Sequence, residues 1–257
     1  MGAGGRTGMR CDEALIVMGK IPRAGAVKTR LCPPLAARDA VALYGCMLAD
    51  TGTEMSSLRG VRRVLFLAPP AGVERFESAP FARFERFPQT GSDLGERMDD
   101  AADVAFRGGA RRVAIVGADC PALSADTVRA AFREIRDGAE VVFGPSTDGG
   151  FYLVGLSSPG IRPFGGISWS TPEVLAQAAE RCRSLGAPFS FLPPERDVDV
   201  YEDLLALREW TMRSNSPPCR RTRDWVTSFF SRAGGRTFVP PGRTGGPPPG
   251  SRPPRGG

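Results

Sequence analysis

The chain has 257 residues, 41% hydrophobic and 24% charged, the balance of a soluble globular protein with room for one large domain or two small ones. It contains no histidine, which excludes Ser-His-Asp and Cys-His catalysis and His-ligated zinc; the metals to expect are hard cations held by carboxylates and substrate phosphates, Mg²⁺ or Mn²⁺. The net charge of +6 does not mark a nucleic-acid binder, because residues 213–257 alone carry nine Arg and one acidic residue, a net of +8, which leaves −2 on residues 1–212.

Residues 1–11 are Gly-rich and lack the apolar core of a secretion signal, so they read as a disordered leader. No apolar run approaches the ~20 residues that span a bilayer. The six cysteines show no CxxC spacing, and free thiols in a cytoplasmic protein are expected. Residues 14–18 form the first expected strand, and 35–58 a helix whose apolar face carries Leu35, Val41, Leu43, Tyr44, Met47 and Leu48. Strands follow at 62–68 and 83–87. Ser92 or Asp93 is placed to cap a helix running to about 106. Residues 112–117 read as a buried strand, 124–136 as a helix, and 140–144 and 151–156 as strands on either side of Asp148-Gly149-Gly150. Ser170-Thr171-Pro172-Glu173 has the form of a capping box opening a helix to about 185, 189–192 is a short strand, and a last helix runs to about 212. Strands alternating with helices predict a mainly parallel sheet with helices on both faces. From Ser214 onward Pro, Gly, Arg and Ser dominate, so 213–257 reads as a disordered tail, with at most a brief helical turn at 224–230.

In an open α/β sheet, ligands bind beyond the carboxyl ends of the strands. Four features fall there. The first is the basic loop from Lys20 to Leu31, between a strand and a helix, where phosphate groups are commonly held. Lys20 and Lys28 are the only lysines in a chain that otherwise writes positive charge as Arg, and a retained Lys suggests a need for a compact point charge. With Arg30 they would offset phosphate charge, and Gly25 would let the backbone approach an oxygen; a solvated basic loop is the plain alternative. The loop lacks the GxxxxGK[ST] pattern of a P-loop.

Asp119, after the strand at 112–117, is placed to hold a divalent cation on diphosphate oxygens, or simply to bond nearby amides. Asp148 is compatible with both a plain turn and a ligand-facing carboxylate. Asp199 and Glu202 fit a helix cap, whereas Asp197 is less easily explained that way; the pair are candidates for metal binding or for activating a nucleophile. Trp169, with Ser170, is either the wall of an acceptor pocket or part of the core. Gln89, Gly91 and Arg97 flank a helix start, and a Gln side chain offers a donor and an acceptor to a nucleobase edge.

Taken together, Lys20-x-Pro22-x-x-Gly25-x-Val27-Lys28-Thr29-Arg30-Leu31, Tyr44, Asp50-Thr51, Gly91-x-Asp93-Leu94-Gly95-x-Arg97-Met98, Gly117-x-Asp119-Cys120-Pro121, Gly144-Pro145-x-x-Asp148-Gly149-Gly150-Phe151, Trp169-Ser170-Thr171-Pro172 and Asp197-Val198-Asp199 resemble a bacterial "transferase 1" family. That family is associated with radical-SAM and selenium-domain genes and is described as arsenosugar-type glycosyltransferases. The match runs from about 14 to 212. It implies a single Rossmann-like domain at 12–212, a GT-A three-layer sandwich of the nucleotide-diphospho-sugar transferase superfamily. It also implies a nucleotide or nucleotide-sugar donor, a small-molecule acceptor and Mg²⁺ or Mn²⁺. The loop from Lys20 to Leu31 is also similar to that of 2-phospholactate guanylyltransferases. By these resemblances Lys20, Lys28 and Arg30 contact phosphates, and Asp119 is the metal-binding aspartate. One departure is visible: glycosyltransferases of this fold usually carry Asp-x-Asp at the metal site, and here Gly117 stands two before Asp119, a context closer to nucleotidyltransferases. Sugar transfer from an NDP-sugar and nucleotidyl transfer from an NTP therefore both stand.

Overall fold

The computed structural model describes residues 11–213 and 218–232. All but the last residue of the expected leader, and residues 214–217 and 233–257 of the expected tail, lie outside the described residues.

Seven strands form one sheet: β1 Glu13–Lys20, β2 Val61–Ala68, β3 Glu85–Pro88, β4 Arg112–Gly117, β5 Val141–Pro145, β6 Phe151–Leu156 and β7 Phe189–Phe191, in the order β3-β2-β1-β4-β6-β5-β7. Only β6 runs antiparallel, to β4 on one side and β5 on the other. Six helices accompany them: α1 Ala37–Ser56, α2 Leu94–Arg107, α3 Ala125–Arg136, α4 Val174–Leu185, α5 Tyr201–Arg213 and α6 Arg220–Arg232. The expected α/β class, with a mainly parallel sheet and helices on both faces, is the observed architecture.

The central strands are apolar at every position because both faces are covered. In β1, Leu15 and Val17 pack toward α1 and α3, where they meet Tyr44, Leu48 and Phe132. Ala14 and Ile16 pack toward α2 and α4, against Met98, Ala101 and Ala178. The helix starts follow local chemistry. The Asp93 carboxylate accepts the Glu96 N–H at 2.9 Å, while the Glu96 carboxylate accepts the Ser92 N–H and hydroxyl at 2.7 and 2.8 Å, a capping arrangement for α2 that reaches one residue beyond the N-cap. Ser124 caps α3 through Thr127 N–H. Among the described residues, no helix is long and apolar enough to cross a membrane.

The tail expectation needs correction, since α6 is a helix of 13 residues. Window composition, dominated by Arg, hid an apolar stripe: Val226 is buried, and Trp225, Phe229 and Phe230 pack onto a third core shared with Leu43 and Met47 of α1 and Leu204 and Leu207 of α5. Asp50, buried on α1, accepts the N–H groups of Arg221 and Thr222 at 3.1 and 2.7 Å and so satisfies the first turn of α6. The Arg208 guanidinium covers the Phe230 ring, 4.5 Å from its centroid.

Asp50→Ala should therefore cost about 2 kcal/mol in urea unfolding, since it leaves two amide donors without an acceptor. Hydrogen exchange should accelerate in 220–225 and stay unchanged in β1 and β4; unchanged exchange in α6 would show that Asp50 does not hold it.

Candidate active site

The strand order reverses direction between β1 and β4, which makes the crevice beyond their carboxyl ends the natural ligand site of such a sheet. The register places Met18 of β1 opposite Gly117 of β4, so the segments that follow them, carrying Lys20 and Asp119, leave the sheet side by side.

The loop after β1 is anchored by two buried side chains, Val27 and Leu31. Between them Lys28 adopts a left-handed backbone with φ 50° and opens a 3-10 turn at Thr29–Leu31. This geometry turns the Lys28 side chain inward. Its ammonium lies 2.5 Å from Asp119 Oδ1, with 4% of the lysine side chain exposed against 51% of the aspartate's. Lys20 stays exposed on the rim of the same cleft. Arg30 turns away from the sheet and forms an ion pair with Asp199.

Two more segments complete the site. In the turn between β5 and β6, Asp148 Oδ1 accepts the Gly150 N–H at 3.0 Å and the hydroxyl of buried Ser146. After β7, the Val198 N–H donates to Asp119 O at 2.9 Å, which draws Asp197 alongside the Asp119 loop. Asp197 Oδ1 is buried without a hydrogen-bond partner. Burial, then the charges of Asp119 and Asp148, push the Asp197 carboxyl up to about 7, against a smaller downward pull from Lys28.

These groups line a cleft of about 490 Å³ that holds Lys20, Lys28, Asp119, Asp197 and Asp199. It opens into a second chamber of about 440 Å³ that adds Arg30, Asp148 and Trp169. Ser170, with φ 65°, lies on the wall of both. A hollow of about 510 Å³ adjoins on the β2 side and includes Lys20, Gln89, Gly91 and Arg97. Such volumes suit a small-molecule ligand.

The carboxylates near Asp119 fit a hard divalent cation, because the unpartnered Asp197 oxygen is a buried acceptor in need of positive charge. No cluster of three or more His, Cys, Asp and Glu ligands exists among the described residues. Protein ligands would thus be few, as is usual for Mg²⁺ shared with substrate phosphates.

Several sequence expectations change. Gly25 takes φ +75°, but a Cβ there would meet nothing within 4 Å, and the residue does not line the cleft; its role is the turn closed by Ala26 N–H on Arg23 O. Gln89 spends its amide donors on Gly19 O and Phe66 O, at 2.9 and 3.1 Å, at the end of β1 and within β2, so it cannot offer a donor to a base. Arg97 Nε donates to Gly91 O at 3.1 Å, and Gly91 holds φ +132° where a Cβ would strike Arg97 N at 2.8 Å. The caps expected at Asp199 and Ser170 do not form, unlike that at Asp93. The side chain of Asp203, not of Asp199, accepts the Asp199 and Val200 N–H groups ahead of α5, which leaves the Asp199 carboxylate to Arg30. The N-cap of α4 is Glu173, without a side-chain bond, because Ser170 is occupied by the left-handed bend at the cleft wall. Trp169 is both wall and core, packed on Phe151 and Phe164.

Tyr44 was read as a core residue on the apolar face of α1, yet its hydroxyl accepts the Lys20 N–H at 2.7 Å on the cleft wall. The available signal was its polar tip on an otherwise apolar helix face, because a buried phenol needs a partner.

With the geometry in place, comparison with known proteins is informative. The family model described as "uncharacterized protein conserved in bacteria" (DUF2064) matches residues 51–171. A structure of a candidate nucleotide-diphospho-sugar transferase from Desulfovibrio desulfuricans is similar, with TM-score 0.75 and 27% identity over 85% of this chain and 98% of that one. A cytidylyltransferase from Leptospira borgpetersenii shares the fold, with TM-score 0.54 and 12% identity over 87% and 95%. So does 4-diphosphocytidyl-2C-methyl-D-erythritol synthase from Anaerococcus prevotii, with TM-score 0.50 and 7% identity over 78% and 97%. No curated protein matches the chain.

Two glycines separate conformation from crowding. Gly149 has φ +91°, and a Cβ there would lie 2.0 Å from Pro172 O. Gly149→Ala should destabilise by about 3 kcal/mol or more and shift the Ser170 loop. Gly25→Ala, strained but uncrowded, should cost about 1 kcal/mol. Denaturant melts of both variants check the difference, and equal losses would remove the distinction.

Proposed function

We propose that this protein is a metal-dependent transferase that uses a nucleotide-activated donor. The observation that carries the proposal is the convergence of both lysines of the chain with Asp119, Asp148, Asp197 and Asp199 on one cleft, at the reversal point of a parallel sheet. Similarity over nearly the full length of a candidate nucleotide-diphospho-sugar transferase supports the same class.

In this proposal the diphosphate of the donor lies between Lys20 and Lys28. Asp119 and Asp197 would hold Mg²⁺ or Mn²⁺, which when bound offsets diphosphate charge. Donor phosphates compete with Asp119 for the Lys28 ammonium, so in the bound state Lys28 faces the ligand while Asp119 is freed for its second partner. The low exposure of Lys28 strengthens its field on the leaving diphosphate, because little water screens it. The acceptor occupies the chamber walled by Trp169 and Ser170. Asp148, held by Ser146 and Gly150, would take a proton from the attacking hydroxyl there; Asp197 would be the base only if it does not hold the cation.

Sugar transfer is the favoured reaction, in line with the resemblance to arsenosugar-type glycosyltransferases. Nucleotidyl transfer is the second reading, favoured by Gly117 where an Asp-x-Asp site would carry its first carboxylate. In that case an acceptor oxygen attacks the α-phosphorus and pyrophosphate leaves, and the same groups act by position and charge. Product analysis separates them. With Mg²⁺ or Mn²⁺ and panels of NDP-sugars and NTPs, NDP release without pyrophosphate excludes nucleotidyl transfer, and pyrophosphate alone excludes sugar transfer.

Lys28→Ala should weaken NDP binding by at least tenfold, since a charge-assisted contact of ~1.5–3 kcal/mol is lost. Calorimetric titration of wild type and variant with the same NDP tests this; equal affinities would refute a phosphate contact by Lys28.

A further inference from the structure

Tyr44 reaches the cleft from α1, with its ring buried among Leu15, Val17 and Leu48. Its hydroxyl lies at the end of β1 beside Gly19, where a Cβ would press on Leu48 Cδ1 at 3.2 Å and make ordinary contact with the phenol oxygen at 3.7 Å. The oxygen accepts the Lys20 N–H at 2.7 Å. That bond uses a lone pair and leaves the O–H proton uncommitted, since no described residue accepts it. A phenol on the wall of a polar cleft, with its donor open, points that donor at whatever fills the cleft.

The surroundings restrict what that is. The Lys20 and Lys28 ammonium groups line the same cavity beside the carboxylates of Asp119, Asp197 and Asp199, so an anionic ligand held by the lysines is the partner that an open O–H donor there would complement. Burial and the Asp119 charge both push the phenol well above its usual range, so it stays a neutral donor and never adds negative charge beside an anion.

We propose that the Tyr44 hydroxyl donates a hydrogen bond to a phosphate oxygen of the bound donor, between Lys20 and Lys28, and thereby links that phosphate to the backbone of Lys20. This inference rests on the phosphate placement made under Proposed function. It makes Tyr44 a binding residue, with a signature that a purely structural tyrosine lacks.

The chain has three tyrosines, so ring-labelled ¹³Cζ-tyrosine spectra of the full protein are simple, and Tyr44→Phe assigns the Tyr44 signal by its loss. On addition of inorganic pyrophosphate with Mg²⁺, the Tyr44 signal should shift along the binding isotherm. Calorimetry should show pyrophosphate binding to Tyr44→Phe about tenfold weaker than to wild type. Pyrophosphate that binds wild type without moving the Tyr44 signal overturns the proposal, even if Tyr44→Phe is unstable. Equal affinity of a folded Tyr44→Phe also overturns it. If wild type binds neither pyrophosphate nor any NDP, the phosphate site itself is refuted and the proposal falls with it; binding by wild type with a silent Tyr44 refutes the proposal alone.

Discussion

Lys28 and Asp119 come from loops 91 residues apart in sequence, yet their charges meet at 2.5 Å across the point where the sheet reverses its order. A lysine with so little exposure needs a partner, because an unpaired buried ammonium costs several kcal/mol. The pair therefore fixes the loop after β1 against the loop after β4. The rest of the cleft is arranged around it. Tyr44 ties the end of β1 to α1, Val198 ties the Asp197 segment to Asp119, and the two anchors Val27 and Leu31 keep Lys28 turned inward.

Charge in the cleft is matched in number but not in place. Four aspartates face two lysines, Arg30 and Arg97, with Arg30 bound to Asp199 and Lys28 to Asp119. Asp197 is left with a buried oxygen that no described group satisfies. An unsatisfied buried acceptor is costly and is seldom retained without use. In the proposed reaction a cation brought in with a phosphate ligand would supply positive charge at that oxygen, which a purely structural role for the site does not.

Much of the scaffold was legible from periodicity. β4 and β6 occupy the expected residues, and α1, α2 and α3 lie within a few residues of their expected bounds, because apolar runs and Ser or Asp caps are local signals. α6 was not legible, since its helical stripe of Val226 and aromatics is embedded in arginine and draws its stability from contacts with α1 and α5. At the site, residue types announced their chemistry while partners did not. Asp199 is expected as a metal ligand or as a cap; it pairs with Arg30 instead, and Asp203 supplies the cap one turn on. Gln89 is expected to face a base, but the carbonyls of Gly19 and Phe66 claim its amide first.

The sequence by itself determined the α/β class, the placement of Lys28, Asp119 and Asp148 after strands, and the exclusion of histidine chemistry, since each depends only on residue type, local pattern or composition; Lys20, expected after the first strand, is its last residue. The tertiary structure decided which charges are spent and which are open: Lys28 on Asp119, Arg30 on Asp199, the amide of Gln89 on two carbonyls, and the Tyr44 proton and Asp197 oxygen left over. These outcomes rest on distances between segments far apart in the chain. Hydrogen bonds weaken steeply away from their optimal distance and angle, and a close ion pair needs its two groups brought into contact, so no local pattern in the sequence could fix them.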